Sequence, residues 1–154
     1  MKKELLVTTA IALSISMSAA TNTTSQMNTS SQNPFFKPYV TNYGIPPFED
    51  IKAEHYLPAL ETGIAQQNKA VASIIANKQK PTFENTILAL DHSGETLEKV
   101  CYVFMALDES NSTPEHTAVG EKFYPLLTAH NDEVAMNPGL FKRIKTLYDN
   151  RNEA

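Results

Sequence analysis

Apolar residues return at steps of three and four along two stretches: first Leu57, Leu60, Ile64, Val71, Ile74 and Ile75, then Phe83, Ile87, Leu90, Gly94, Leu97, Cys101 and Phe104. That period is helical, so each stretch carries one apolar face that must be buried against another element. The second stretch keeps its four-three alternation for three repeats, the pattern of a helix committed to a partner helix. No stretch of useful length after the first twenty residues reads as a strand, and no segment repeats. The fold class is therefore all-α.

Start and stop signals divide the chain into four amphipathic helices. Glu54-His55-Tyr56 reads as a short turn, after which Pro58 suits the first turn of a helix, where its missing N–H costs nothing. This helix, 57–77, carries Gln66, Gln67, Asn68 and Lys69 mostly on the side away from its apolar face. It ends ahead of Pro81, which restricts the residue before it. Thr82 is a good N-cap for a helix over 82–108, with Glu84 in the first turn where the helix dipole favours negative charge. Within it Gly94 costs ~1 kcal/mol against alanine unless a neighbouring backbone approaches closely. Thr113-Pro114-Glu115 opens a third helix, 114–134. Pro125 lies well inside that helix and is expected to kink it or divide it between Phe123 and Leu126. Asn137-Pro138 opens a fourth, 138–150, with Phe141, Ile144, Leu147 and Tyr148 expected to face inward and no C-cap after it.

Upstream of these helices the character changes twice. Lys2 and Lys3 precede an apolar run from Leu5 to Met17, and Ser18-Ala19-Ala20 supplies the small residues read by a signal peptidase. A signal peptide over 1–20, cleaved after Ala20, is expected. The run is too short and too rich in Ser and Thr for a membrane span of ~20 mostly apolar residues. No cysteine sits at the cut to take a lipid anchor, so a soluble periplasmic or secreted protein is the expectation. Residues 21–33, TNTTSQMNTSSQN, have too little to bury to offset their ordering entropy and read as a disordered polar spacer. The folded portion is then 34–154, beginning with Pro34-Phe35-Phe36-Lys37-Pro38-Tyr39 and Ile45-Pro46-Pro47-Phe48. Fixed proline dihedrals make this lead-in extended, pinned to the helices by its aromatic side chains.

Charge and cysteine content narrow the partners. Thirteen Lys and Arg against seventeen Asp and Glu give a net charge of -4, interspersed and without a basic face, which argues against nucleic acid. The one cysteine, Cys101, precludes an internal disulfide and a multi-thiolate zinc site, and it falls on the apolar stripe as a core thiol.

Chemistry-bearing residues are sparse. His55, His92, His116 and His130 stand alone, and none has a second histidine three or four residues away. His55 reads as a structural hydrogen-bond donor at the helix start, His92 as an exposed helix residue, His116 as a first-turn residue and His130 as lying on a mixed face. Glu49, Asp50, Asp91, Glu95, Asp108 and Glu109 are dispersed, while paired-carboxylate catalysis needs two in one pocket. Ser93 and Ser110 lack a glycine-flanked nucleophile elbow, and no phosphate-cradling glycine loop is present. No catalytic, cofactor-binding or metal-binding residue is assigned.

Gly44-Ile45-Pro46-Pro47-Phe48, Glu54-His55-Tyr56-Leu57-Pro58-Ala59 and Pro81-Thr82-Phe83-Glu84-Asn85-Thr86, in that order and spacing, resemble the N-terminal part of the thimet-oligopeptidase family of zinc peptidases. Within it they are most similar to the bacterial peptidyl-dipeptidases. Weaker likeness continues through Ser93-Gly94-Glu95, Pro125-Leu126-Leu127, Ala129-His130 and Asn137-Pro138 to Arg151. The resemblance implies the N-terminal helical portion of an enzyme that removes C-terminal dipeptides from short peptides. In such relatives these helices form part of one wall of a deep channel. The family's chemistry rests on HExxH, two histidines one turn apart on zinc with a glutamate that polarises the bound water. That motif is absent here, so the catalytic part is missing, zinc belongs to the full-length family, and inactivity of this chain by itself is expected. The alternatives are a free-standing helical module that binds a peptide or protein, and a purely structural helical domain.

Overall fold

The computed structural model describes residues 32–152. The expected leader lies outside them, as does the polar run except Gln32 and Asn33. Among the described residues there are helices and no strands, as the periodicity requires. The long ones are α1 (Ala53–Ala76), α2 (Glu95–Ser110), α3 (Pro114–Ala135) and α4 (Pro138–Asp149). α1 is central, packing against each of the other three.

Two apolar clusters lie along α1. Its N-terminal half meets α2 and α3 around Tyr56, Leu60, Leu97, Val100, Phe104 and Phe123, and the lead-in adds Phe35 and Ile51. Its C-terminal half, through Val71 and Ile74, meets Leu140 of α4. α1 and α2 come closest where a Cβ on Gly63 would lie 2.9 Å from the backbone of Leu97. Backbone approach thus occurs at Gly63; a Cβ on Gly94 would instead meet the side chain of Gln67.

The helix starts follow the predicted caps. Thr82 and Thr113 accept the N–H groups of Asn85 and His116, and Asn137 accepts those of Gly139 and Leu140. Glu84 and Glu115, in their first turns, are held below the usual carboxylate range by backbone and threonine hydrogen bonds.

Several expectations are corrected. α1 begins at Ala53, so Pro58 is inside it. The bond Pro58 removes would have engaged the carbonyl of Glu54, an exposed residue, where water is an adequate partner. Of the two outcomes expected at Pro125, division does not occur: α3 is continuous through it, and Pro125 and Glu121, four residues before it, are both on the exposed side, where water can serve the freed carbonyl. The expected helix over 82–108 is broken into a π turn (Phe83–Leu88), one α turn (Ala89–Asp91) and a 3-10 turn (His92–Gly94) ahead of α2. The wider π turn shifts the register, burying Thr86 and leaving Phe83 59% exposed. On α4 the buried residues are Leu140 and Arg143; Ile144 and Leu147 are half-buried, and Phe141 and Tyr148 point outward.

The lead-in is extended except for 3-10 turns at Pro34–Phe36 and Asn42–Gly44 and a hydrogen-bonded turn over 48–50. Phe35 is its buried anchor. Asn33, compositionally part of the polar run, is also buried: its Oδ1 accepts the Phe35 N–H (3.1 Å) and its Nδ2 donates to the His55 carbonyl (2.8 Å).

Candidate functional site

Each histidine occupies a different environment. His55 sits in the first turn of α1, where its Nδ1 accepts the backbone N–H of Lys52 at 3.0 Å, an acceptor where a donor was expected. His92 is exposed, 3.8 Å from the exposed Glu95 carboxylate. His116, in the first turn of α3 as expected, and His130, expected on a mixed face, are both buried, 6% and 3% exposed. They lie on the inward stripe of α3 with Gly120, Phe123 and Leu127. Their polarity conceals that stripe in the sequence, and their spacing from Phe123 and Leu127 is the signal that reveals it.

The His116 ring stacks on Phe104, with centroids 4.1 Å apart, and its Nε2 lies 3.0 Å from the Phe104 carbonyl. A carbonyl only accepts, so Nε2 carries the proton. Asp108 is 4.0 Å from the same nitrogen and accepts the Tyr124 hydroxyl at 2.6 Å. That bond to a carboxylate, with desolvation, pushes the Tyr124 pKa up to about 12.

His130 anchors a polar layer between the two apolar clusters. Its Nε2 meets Gln67 Oε1 at 2.6 Å, and Gln67 Nε2 donates to Ser93 Oγ, which donates to the Leu90 carbonyl. Gln67 thus lies on the core side of α1, contrary to its expected outward place. His130 Nδ1 is buried without a hydrogen-bond partner, and burial lowers the His130 pKa despite the opposing field of Glu133. Ser93 has no base beside it in this layer.

The residue least legible in advance was Arg143. It is 7% exposed and ties α4 to the start of the second apolar stretch. Nη1 donates to the Asn77 carbonyl (2.6 Å), Nη2 to Asn85 Oδ1 (2.9 Å) and Thr86 Oγ1 (3.3 Å). Asn85 also accepts the Thr82 N–H and donates to the Lys80 carbonyl. The Pro81-to-Thr86 motif is therefore a hydrogen-bonded platform for Arg143. Glu54-to-Ala59 is structural in the same way, supplying a helix-start acceptor at His55 and buried packing at Tyr56 and Ala59.

Among the described residues no three His, Cys, Asp or Glu side chains converge to hold a metal. One ring nitrogen of each of three histidines is also engaged: His116 Nε2 with a carbonyl, His130 Nε2 with an amide, His55 Nδ1 with a backbone N–H. Zinc does not fit these residues. Cys101 is half-buried, and burial with the field of Glu98 pushes its pKa up to about 11, which keeps the thiol protonated and unreactive.

Two shallow recesses flank the lead-in. One, about 330 Å³, is lined by Phe48, Ile51, Tyr56, Leu107 and His116; the other, about 710 Å³, by Pro38, Tyr39, Pro47, Lys52 and His55. Lys99 holds the lead-in between them, donating to the Lys37 carbonyl (2.9 Å) with its Nζ 4.1 Å from the Tyr39 ring centre. The imidazoles there are engaged, His116 Nε2 with the Phe104 carbonyl and His55 Nδ1 with the Lys52 N–H, and no serine or cysteine lines either recess.

No family model matches the sequence. Over 119 residues, 77% of the chain, it is 35% identical to dipeptidyl carboxypeptidase of Escherichia coli strain K12. It is 32% identical over 122 residues to dipeptidyl carboxypeptidase of Salmonella typhimurium, and 28% over 112 residues to oligopeptidase A of the same organism. The matches span 18%, 18% and 16% of those proteins, so the chain corresponds to less than a fifth of the length of the curated relatives it matches.

Proposed function

The chain belongs to the metallopeptidase family that includes dipeptidyl carboxypeptidase and oligopeptidase A, and from that premise we propose that it is a scaffold portion of an exported, zinc-dependent peptidyl-dipeptidase. The intact enzyme removes dipeptides from the C-termini of short peptides. This stretch forms part of the wall of the channel that admits them. The observation that carries the reading is the 35% identity over 77% of the chain to a dipeptidyl carboxypeptidase.

The division of labour follows from the residues. Zinc, in the intact enzyme, supplies an activated water, and its ligands lie on polypeptide beyond this stretch, because HExxH is absent from these 154 residues. The residues here give rigidity: Arg143 fixes α4, the Gln67 layer fixes α3 and the short turns ahead of α2 on α1, and Asn33 with Lys99 fixes the lead-in. Export is supported by Lys2, Lys3, the apolar run and Ser18-Ala19-Ala20.

Two assays test the proposal. The purified chain with zinc and a blocked tetrapeptide is expected to release no dipeptide; zinc-dependent, chelator-sensitive release by this chain alone overturns it. A chimera in which this chain replaces the matched 119 residues of the Escherichia coli dipeptidyl carboxypeptidase is expected to fold and cleave. Failure of the chimera, with the chain itself stably folded, favours a free-standing binding module.

A further inference from the structure

The smaller recess beside the lead-in joins an apolar lining to one open hydrogen-bond acceptor. Its volume, about 330 Å³, lies at the small end of the range for ligand pockets. Phe48, Ile51, Tyr56 and Leu107 line it with aromatic and aliphatic carbon, against which a flat ring packs well.

His116 supplies the polar handle. Its Nε2 carries the proton that the Phe104 carbonyl accepts, which makes Nδ1 of the neutral ring an acceptor. Among the described residues nothing donates to Nδ1, yet it is not one of the buried atoms left without a partner, so solvent reaches it. The opening that His116 borders is this recess. The ring cannot turn away to find a partner elsewhere, because it is stacked on Phe104 and set edge-on to Tyr56 at 5.4 Å. A fixed acceptor among apolar walls selects a ligand that brings a donor.

The rim narrows the ligand further. Among the described residues Glu49 is the one charged side chain that lines the recess, with no Lys or Arg beside it, and Asn111 and Thr113 are neutral. Carboxylates and phosphates are therefore disfavoured, and neutral or cationic donors are favoured. An indole meets each condition: a flat apolar ring system with one N–H at its edge and no acceptor to satisfy.

We propose that this recess is a binding site for an indole-type ligand, its ring packed against Tyr56 and Leu107 and its N–H donating to His116 Nδ1. The site lies wholly within this chain, so it goes beyond the scaffold reading and does not depend on it.

The chain contains no tryptophan, so indole fluorescence reports the ligand alone. Titrated with the whole chain at pH 8, indole and tryptamine are expected to give a saturable blue shift. 1-Methylindole keeps the ring without the N–H and is expected to bind about threefold to tenfold more weakly, and indole-3-acetate more weakly than tryptamine. Ala53→Phe fills the recess from a half-buried position and is expected to abolish binding while the helical circular dichroism is unchanged. His116→Phe keeps a ring on Phe104 and is expected to bind indole no better than the parent chain binds 1-methylindole. Absence of saturation overturns the site, as does binding that survives Ala53→Phe. Equal affinities for indole and 1-methylindole overturn the role of His116 Nδ1, and indole-3-acetate binding as tightly as tryptamine overturns the charge selection. Should His116→Phe fail to fold, the 1-methylindole and Ala53→Phe titrations still decide.

Discussion

The Arg143 guanidinium lies 3.3 Å from the hydroxyl of Thr86, a fully buried threonine at the heart of the Pro81-to-Thr86 motif. Each of its three hydrogen-bond partners is neutral, and two of them, Asn85 and Thr86, share the one nitrogen Nη2. Its positive charge is thus held by dipoles, with its buried Nε left without a partner. Arg143→Ala is expected to cost about 2–4 kcal/mol, because it strips buried carbonyl, amide and hydroxyl groups of a charged donor. Thr86→Val keeps the volume and is expected to cost about 1 kcal/mol. Urea midpoints read both, and an unshifted midpoint for Arg143→Ala would show that the clamp carries no stability.

Two buried glycines, Gly63 and Gly94, separate backbone from side-chain contact. In Gly63→Ala the new methyl meets the Leu97 backbone at 2.9 Å, and α2 must move; about 1–3 kcal/mol of destabilisation is expected. In Gly94→Ala it meets the end of the Gln67 side chain, which can swing aside. The lost hydrogen bonds are then offset by alanine's helix propensity, and the net change stays within about 1 kcal/mol. Thermal melts that rank Gly94→Ala as the more damaging change would contradict this geometry.

His130 makes the fold sensitive to mild acid. Burial lowers its pKa in the folded chain, so the unfolded chain takes up the proton first as pH falls. The neutral-histidine contribution is complete above the ordinary value of 6.5 and is lost as pH falls from there through the lowered folded value. Chemical denaturation between pH 7.5 and 5 should show stability declining, and His130→Gln should flatten that decline. Equal pH slopes for the two proteins would refute the assignment.

Cys101 should be slow to alkylate. A pKa near 11 against an ordinary 9.0 leaves about a hundredfold less thiolate at pH 8. Iodoacetamide labelling is therefore expected to be about a hundredfold slower in the native chain than in urea. Equal rates in both would place the thiol in open solvent.

Local sequence determined the helical class, the caps at Thr82, Thr113 and Asn137 and the boundaries of α3 and α4 to within a residue, because hydrophobic period and cap chemistry act over one or two turns. It also marked the motif residues that the platform at Asn85 and Thr86 and the start of α1 at His55 turn out to use. Tertiary structure alone decided which side of each apolar arc is covered. The π turn rotated Phe83 outward and Thr86 inward, packing on α1 selected Leu140 over Phe141, and the polar layer drew Gln67 and His130 into the interior. A period states that a face is apolar; only the neighbours that arrive from distant sequence fix how much of it is buried and which polar groups are buried with it.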